Sequence, residues 1–543
     1  MSWVQAIEVP ALREKSTFVF RHDNKQVALF WMNGEVFALD NRCPHQGYPL
    51  QQGTTNESSC VLTCQWHNWK FDMKTGKCLV GEDHVRTYPT RIEDDKVWLD
   101  LRPPSAEEQQ ATILEGLQTG VAKQQYGRIS REITRLVVAG LDPVVALEKT
   151  LEWTYEQFEY GTTHAVAASA DWLLRYDELK GDVEQQIVCL TESIDHLAFD
   201  ALRHPAYPYT EASRPFEGSL FLEAIEAEDE DTAIALVRGA LEAGLTWGEL
   251  EVWFCRAALS HYNDFGHSLI YIQKVDFLLD RLSLSTPAVL LFPLVRSLCY
   301  STKEDLLPDF RKYASALADT PKLSDEEVSE LNTSSTLVLL DGERETLSRA
   351  SINQALLWMA SRYGRISPHQ LYYAAVEAVA RVLLHYDTSY QDAFDRPVKQ
   401  NIGWLHCTHA LTFANALRSL ASKYPSLWRD GLLQMACFVG RNQPYVDWEL
   451  DVSEWTQEKD DSFWNSSWEH LLDHGIFPPI FSAHLVKTWC SVREEVELLP
   501  DYVSSEVQDL LLSSLHRFLH APLKQKHTRR AARQSLALVK SGE

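Results

Sequence analysis

Four residues near the amino end have the types and spacing of a metal site: Cys43 and His45 with one residue between them, then Cys64 and His67 with two, the pairs separated by the 18 residues 46 to 63. Thiolates neutralise the charge of ferric iron, and neutral imidazoles on a second iron leave a cluster more easily reduced than an all-cysteine one. The same donors could form a Cys2His2 zinc site, for which the close Cys-x-His pair is an awkward fit. Cys60 and Cys78 lie nearby but read as plain buried thiols, because four donor positions are already filled. A second set of donors is spread along the chain. His164, His267 and His409 open the apolar stretches "HAVAASADWLL", "HSLIYIQKVDFLL" and "HALTFANALRSL", and His484 opens the weaker "HLVKTWCSVREE". An imidazole in the first turn of a helix feels the positive end of the helix dipole, which favours the neutral form and leaves its lone pair for a metal. If these helices pack about one axis, the four imidazoles meet. Asp264 is the carboxylate placed to orient His267 or to bind the metal, and His261, like His406, is placed as a supporting or alternative group. A lone histidine at a helix start is more often a cap or a core residue, so the weight lies in the repetition.

The elements that must position these residues change type along the chain. From Phe18 to Leu101 the sequence reads as short strands and turns. "VALFW", Asn33-Gly34 and "EVFALD" make a hairpin whose Asn-Gly supplies positive φ; "WKFDMKTGKCLV" repeats the device at Thr75-Gly76, and "TRIEDDKVWLDL" closes the set. Residues 103–110, "PPSAEEQQ", form a polar linker, after which helical periodicity takes over. The expected organisation is a small all-β domain at 1–102, the linker 103–110, and a large all-α domain at 111–543 with about four histidine-led repeats. Each repeat ends one helix at glycine and starts another. Asp142 and Ser367 precede proline, and Thr246 with Glu249 and Ser367 with Gln370 have capping-box spacing. Gly140 to His164 spans 24 residues and Gly244 to His267 spans 23, but Gly364 to His409 spans 45, so the third repeat carries an insertion, assigned to "DTSYQDAFDRPVKQNIGW". Tryptophans at 447–470 read as a pocket lining or as anchors for a loop.

The front constellation resembles a Rieske [2Fe–2S] domain, over about the first hundred residues, including the Pro44 and Gly47 turn positions and the "KFDMKTG" hairpin. The resemblance implies a [2Fe–2S] cluster on Cys43, His45, Cys64 and His67, with its imidazole side exposed to a donor. Asn68 stands where that family usually has glycine, and the additional disulfide cysteines of respiratory-complex members are absent, which implies a low-potential carrier. Rieske aromatic-ring oxygenases join such a cluster to an Asp-x-x-His motif followed five residues later by histidine. Here Asp264-Phe265-Gly266-His267 is followed five residues on by Ile272, so that reading fails at its own motif. The segments "TTHAVAASADWL", "FGHSLIYIQK", "CTHALTFANALR" and "AHLVKTW" instead resemble the questin-oxidase-like family, helical proteins whose repeated histidines bind a non-haem iron for oxidative cleavage of polycyclic aromatics. That resemblance implies iron on His164, His267, His409 and His484, with Lys487, three residues from His484, joining them after carboxylation.

With 543 residues, 45% of them hydrophobic, the chain can fill several cores. Its 51 basic and 76 acidic residues give a net charge of −25, which argues against nucleic acid as partner. Residues 1–102 hold 12 basic and 13 acidic residues, so the acidity lies almost wholly in the helical part. No apolar run is long enough to span a membrane, the start lacks the pattern of a secretory signal, and the ten scattered cysteines suit a reducing compartment, so a cytoplasmic protein is expected. The basic stretch "LKQKHTRRAARQSLALVK", 523–540, reads as a solvated helix or a docking segment. Two functions compete. In the first the chain is an oxidoreductase, an oxygenase with a mononuclear non-haem iron in the helical part, taking O2, a small organic substrate and electrons from an external NAD(P)H-dependent reductase or ferredoxin, since no Gly-x-Gly-x-x-Gly stretch is present. In the second it is an electron carrier or redox sensor whose helical repeats form a protein-interaction scaffold.

Overall fold

The computed structural model describes residues 3–201, 206–334, 339–391 and 402–523. The chain divides into two compact units, Met1–Pro143 and Val144–Glu543. Ten short strands build the first: β1 (Trp3–Glu8), β2 (Thr17–His22), β3 (Lys25–Met32), β4 (Glu35–Asp40), β5 (Thr54–Asn56), β6 (Val61–Thr63), β7 (Lys70–Asp72), β8 (Cys78–Val80), β9 (Thr90–Glu93) and β10 (Lys96–Asp100). They form three antiparallel sheets in the orders β1-β10-β9, β2-β3-β4 and β5-β6-β7-β8. Asn33 and Gly34 take φ of 56° and 81° and close the β3–β4 hairpin with Met32 opposite Glu35, as the Asn-Gly pair predicts. Strand β3 is buried on both faces. Ala28, Phe30 and Met32 join the core around Cys43 and Cys64, while Val27 and Leu29 join Val9, Leu12, Val97 and Leu99.

Strands stop before the expected linker 103–110, but residues 106–110 of it are already helical and the first unit continues past it. Helix Ala106–Ala122 starts in a capping box, the Glu108 amide on the Ser105 hydroxyl (3.2 Å) and the Ser105 amide on the Glu108 carboxylate (2.9 Å). It packs against helix Tyr126–Val138. That second helix is tied to the loop after β8: the wholly buried Asp83 accepts from Arg131 (2.5 Å) and Arg135 (3.4 Å), and Arg131 also reaches Glu82 (2.6 Å). Through these ion pairs the two helices belong to the strand-rich unit.

No strand follows β10 among the described residues. At the centre of the second unit four helices, His164–Glu178, His267–Arg281, Trp404–Lys423 and Ile480–Glu497, each pack against the next, and the last packs against the first. The turns that separate repeats are chemically explicit. Gly244 (φ 79°) ends helix Glu230–Glu242, and the next amide, that of Leu245, bonds back to the Ala240 carbonyl. Thr246 and Glu249 then make the expected capping box of helix Trp247–Leu259. Two starts differ from expectation. Ser367 gives its hydroxyl to Asn332 (2.7 Å) instead of capping its own helix, and the helix expected at Pro143 starts at Val145. Trp468 anchors the tryptophan-rich segment: buried, it donates to Gln185 (2.9 Å) and packs on Trp172 and Trp489. Residues 392–401 of the inserted stretch and residues 524–543 of the basic tail lie outside the described residues.

Candidate functional site

Two loops present the front donors, and both are closed in the same way. The Cys43 amide donates to the Tyr48 carbonyl (2.8 Å) and the Gly47 amide returns to Cys43 (2.7 Å); the Cys64 amide donates to Trp69 (2.8 Å) and the Asn68 amide returns to Cys64 (3.0 Å). Gly47 and Asn68 occupy the same place in the two loops, and both are left-handed, at φ of 76° and 62°. Asparagine tolerates that region better than other side-chain-bearing residues, which is why Asn68 can stand where the resemblance called for glycine. Gly81 (φ 129°) has no such substitute, since a Cβ there would lie 2.4 Å from the Trp69 ring.

Inside these loops Cys43 and Cys64 are buried in the core, while His45 is half-buried and His67 exposed. The Nδ1 atoms of His45 and His67 face each other at 3.1 Å. Trp69 stacks on His45 at 4.7 Å between centroids, and Trp66, itself 55% exposed, stacks on His67 at 5.0 Å. Burial, chiefly, pushes the Cys43 thiol up to about 11, with Cys64 beside it adding to the effect. Two thiols in apolar surroundings and two imidazoles toward water make a donor set that fits a [2Fe–2S] cluster. Cys60 and Cys78 pack against the edge of this core, their thiols raised by burial and Cys78 to about 11.

The ring of four helices brings the second set of histidines together. Nε2 of His267 lies 3.0 Å from Nε2 of His164 and 2.8 Å from Nε2 of His409. Donor atoms of His164, His409 and His484 all lie within 4.8 Å of one another. Ligands about 2.1 Å from one ion and at right angles stand about 3 Å apart, which is the separation of His267 from His164 and from His409. Burial above all holds His164, His409 and His484 well below the ordinary imidazole value, so these rings are neutral and offer lone pairs. The tautomer of His484 follows from its neighbour. Thr408 gives its hydroxyl proton to the Leu405 carbonyl (2.9 Å), so at 3.2 Å from His484 Nδ1 it acts as acceptor, and Nε2 keeps the free lone pair. Imidazole nitrogens this close are joined either by N–H···N hydrogen bonds or by a shared cation, and neutral nitrogen donors gathered in this way fit a single metal ion.

The helix positions differ from those expected. His164 and His267 are the first residues of their helices, but His409 and His484 sit in the second turn of helices that begin at Trp404 and Ile480. Burial therefore does what the helix dipole was expected to do. Lys487, on the same helix as His484, is wholly buried, its amine without a hydrogen-bond partner and pushed down to about 7 by burial. His261 is placed elsewhere. Its Nδ1 pairs with Asp305 (2.9 Å) and its Nε2 with Glu226 (2.9 Å), and the Asp305 hydrogen bond raises its pKa, so neither nitrogen is available to the histidine cluster. The Asp264 side chain lies outside the described residues. His406 accepts from the Gly403 amide (3.1 Å) and stands edge-on to Phe265.

Sequence reasoning missed several groups around this cluster. Phe265 is held at φ 52°, with Arg441 3.8 Å over its ring and His409 6.2 Å away between centroids. Tyr271 stacks on His267 at 5.4 Å. Deeper in the bundle Lys274 pairs with Asp171 (2.9 Å), and Asn415 donates to Glu494 and Glu495, which also hold Arg418. A signal for the Asp171–Lys274 pair was present, since each follows its histidine by seven residues and so returns to the same helix face two turns on.

Comparison with known proteins bears on the first unit. Residues 2–89 match the family model of the Rieske [2Fe-2S] domain. The ferredoxin component of the naphthalene 1,2-dioxygenase system of Pseudomonas putida is 29% identical over 103 residues, 19% of this chain and 97% of that protein. The 3-phenylpropionate/cinnamic acid dioxygenase ferredoxin subunit of Photorhabdus laumondii is 34% identical over 77 residues, 14% of this chain and 72% of that one. Among solved structures, the ferredoxin of carbazole 1,9a-dioxygenase from Nocardioides aromaticivorans, 22% identical, is covered in full by 19% of this chain at a TM-score of 0.18. Among the described residues no helix is long and apolar enough to cross a membrane.

Proposed function

The chain belongs to the Rieske [2Fe–2S] family through its residues 2–89, and from that premise we propose that it is an oxygenase acting with O2 on a small aromatic substrate. Cys43, His45, Cys64 and His67 would hold the cluster, which supplies one-electron transfer when bound. His164, His267, His409 and His484 would hold a mononuclear non-haem iron, which supplies O2 activation when bound. Lys487 would join these four after carboxylation, since an ammonium has no lone pair to give. The observation that carries the reading is the convergence of four imidazoles from four distant segments, with His267 Nε2 within 3.0 Å of two others. The similarity of the four histidine segments to the questin-oxidase-like family supports it, as does the membership of the relatives' ferredoxins in aromatic dioxygenase systems.

The chain's own residues have distinct tasks in this scheme. Cys43 and Cys64 anchor from the core, and the exposed His67 with Trp66 offers the face on which an external reductase or ferredoxin docks. Thr408 fixes the tautomer of His484, and Tyr271 holds the plane of His267. Phe265, clamped by Arg441, forms an aromatic wall beside His409 against which a planar substrate can stack.

Iron analysis of anaerobically purified protein tests the proposal. About three irons per chain are expected, two in the cluster and one on the histidines. His267→Ala should lower this to about two, abolish O2-dependent turnover and leave the cluster spectrum intact. About two irons in the unaltered protein would sink the oxygenase and leave the alternative, an electron carrier joined to an interaction scaffold.

A further inference from the structure

Beyond the histidines, a second layer of polar side chains crosses the ring of four helices. Lys274 donates to Asp171 (2.9 Å) and joins helix His267–Arg281 to helix His164–Glu178. Gln273 donates to Asn415 (2.8 Å) and joins His267–Arg281 to Trp404–Lys423. Asn415 donates in turn to Glu494 (2.9 Å) and Glu495 (3.0 Å) of helix Ile480–Glu497, and Arg493 of that helix reaches Glu178 (2.7 Å) on the first. Every neighbouring pair of helices is tied at least once, and the ties close into a belt. In each helix the histidine precedes the belt residues, so all four run in the same direction away from the imidazoles.

Such a belt supplies what apolar packing does not. Hydrophobic contact is non-directional, so it holds helices together without fixing how far one has slid or turned against the next. A buried polar group that must meet partners at set distances does fix it. A metal ion tolerates only about 0.2 Å of error in its ligand distances, so register on that scale decides whether imidazoles from four helices can share it.

Asn415 is the joint at which the constraint is sharpest. It is wholly buried, six residues and so about 9 Å along the helix from His409. Its Oδ1 accepts from Gln273, and its two Nδ2 protons go to Glu494 and Glu495, so one side chain ties three of the four histidine-bearing helices to one another. The amide has one workable orientation, because its oxygen turned toward two carboxylates would be repelled. Arg418, three residues on, pairs with Glu494 (2.7 Å) and Glu495 (2.8 Å) and keeps their charge from driving the helices apart. His164 is brought in by the remaining ties, Lys274 to Asp171 and Arg493 to Glu178.

We propose that Asn415 is a positioning residue of the histidine centre: through its three hydrogen bonds it sets the register at which His267, His409 and His484 meet a metal ion. The inference rests on the reading of those histidines as metal ligands and adds to it the group that aligns them.

Titration of chelated full-length protein with cobalt(II), followed by X-ray absorption at the cobalt edge, tests this without interference from cluster iron. The unaltered chain should bind cobalt on the imidazoles of His164, His267, His409 and His484. Asn415→Asp keeps the size of the side chain but turns both donated bonds into repulsion; it should weaken cobalt binding at least about tenfold and lower the imidazole count at the metal. Adding Glu495→Gln returns a donor opposite the new carboxylate and restores the net charge, so it should recover most of the lost affinity, which a general loss of stability would not do. Gln273→Leu is the milder second arm: it cuts only the tie from Asn415 to helix His267–Arg281 and should also weaken cobalt at least about tenfold. Unchanged affinity in Gln273→Leu or in a folded Asn415→Asp, or a loss that Glu495→Gln fails to return, overturns the proposal. If His267→Ala binds cobalt as tightly as the unaltered chain, the histidines are not the ligands, and the underlying reading falls together with this inference.

Discussion

Replacing Lys487 with methionine should make the metal-free helical unit more stable, and by an amount that depends on pH. The amine is fully buried, has no hydrogen-bond partner, and is lowered from 10.5 to about 7, mostly by burial, with Asp171 opposing the shift and Lys274 adding to it. At about 1.4 kcal/mol for each pH unit between those values, keeping the ammonium in the fold costs about 5 kcal/mol. Between the two values the unfolded chain binds the proton and the folded chain does not, so stability rises with pH across this window. The penalty is full below the folded value, about 4 kcal/mol near pH 7, about 2 kcal/mol near pH 9, and absent above 10.5. Methionine keeps the length and the apolar stem while removing the charge, so Lys487→Met should gain most at neutral pH and little in alkali. Denaturant unfolding of chelated full-length protein, followed by far-UV circular dichroism at both pH values, measures this, because the helical unit dominates that signal. A gain equal at the two pH values, or no gain at all, refutes the reasoning that burial of this amine is a standing cost.

Gly266→Ala should lower the metal content of the helical unit. At φ 78° its Cβ would stand 2.6 Å from the Phe413 ring, so the start of the His267 helix must shift at a cost of about 1–3 kcal/mol, read as lost iron and a lower melting temperature. Asp83→Ala leaves Arg131 and Arg135 beside an emptied buried site and should cost the first unit about 3–5 kcal/mol, seen as earlier bleaching of the cluster absorbance in denaturant. His261, raised above 6.5 chiefly by its bond to Asp305, contributes stability that is complete below 6.5 and is lost as pH rises through its folded value. Asp305→Asn should flatten that part of the stability profile, and an unchanged profile would remove the pair from the account.

Much of the front unit was readable because its signals are local. Asn33-Gly34, the Cys-x-His and Cys-x-x-His spacings and the linker all act within a few residues, and the hairpin and the change from strand to helix fall where they indicate. The extension of this unit through two further helices was not readable, because it rests on ion pairs between Asp83 and arginines some fifty positions away, a separation at which no periodicity survives. For the histidines, repetition picked out rings that lie close together in space, but not their places on the helices. His409 and His484 were read as helix starts because apolar periodicity follows them, yet Trp404 and Ile480 lie upstream on the same helices, and the rings owe their neutrality to burial. The sequence placed His261 near His267 by number alone. In space its two nitrogens face Asp305 and Glu226, carboxylates that no local pattern links to it.

The closed ring of helices also sets an order of events during synthesis. The first wall is complete once Glu178 has emerged, but the wall that carries His484 is not finished until Glu497. The second and third walls follow at Arg281 and Lys423, so the ring stays open on at least one side until the fourth helix is made. The group of four imidazoles is therefore assembled only in the last stage of synthesis, whereas the amino-terminal hairpins can form long before.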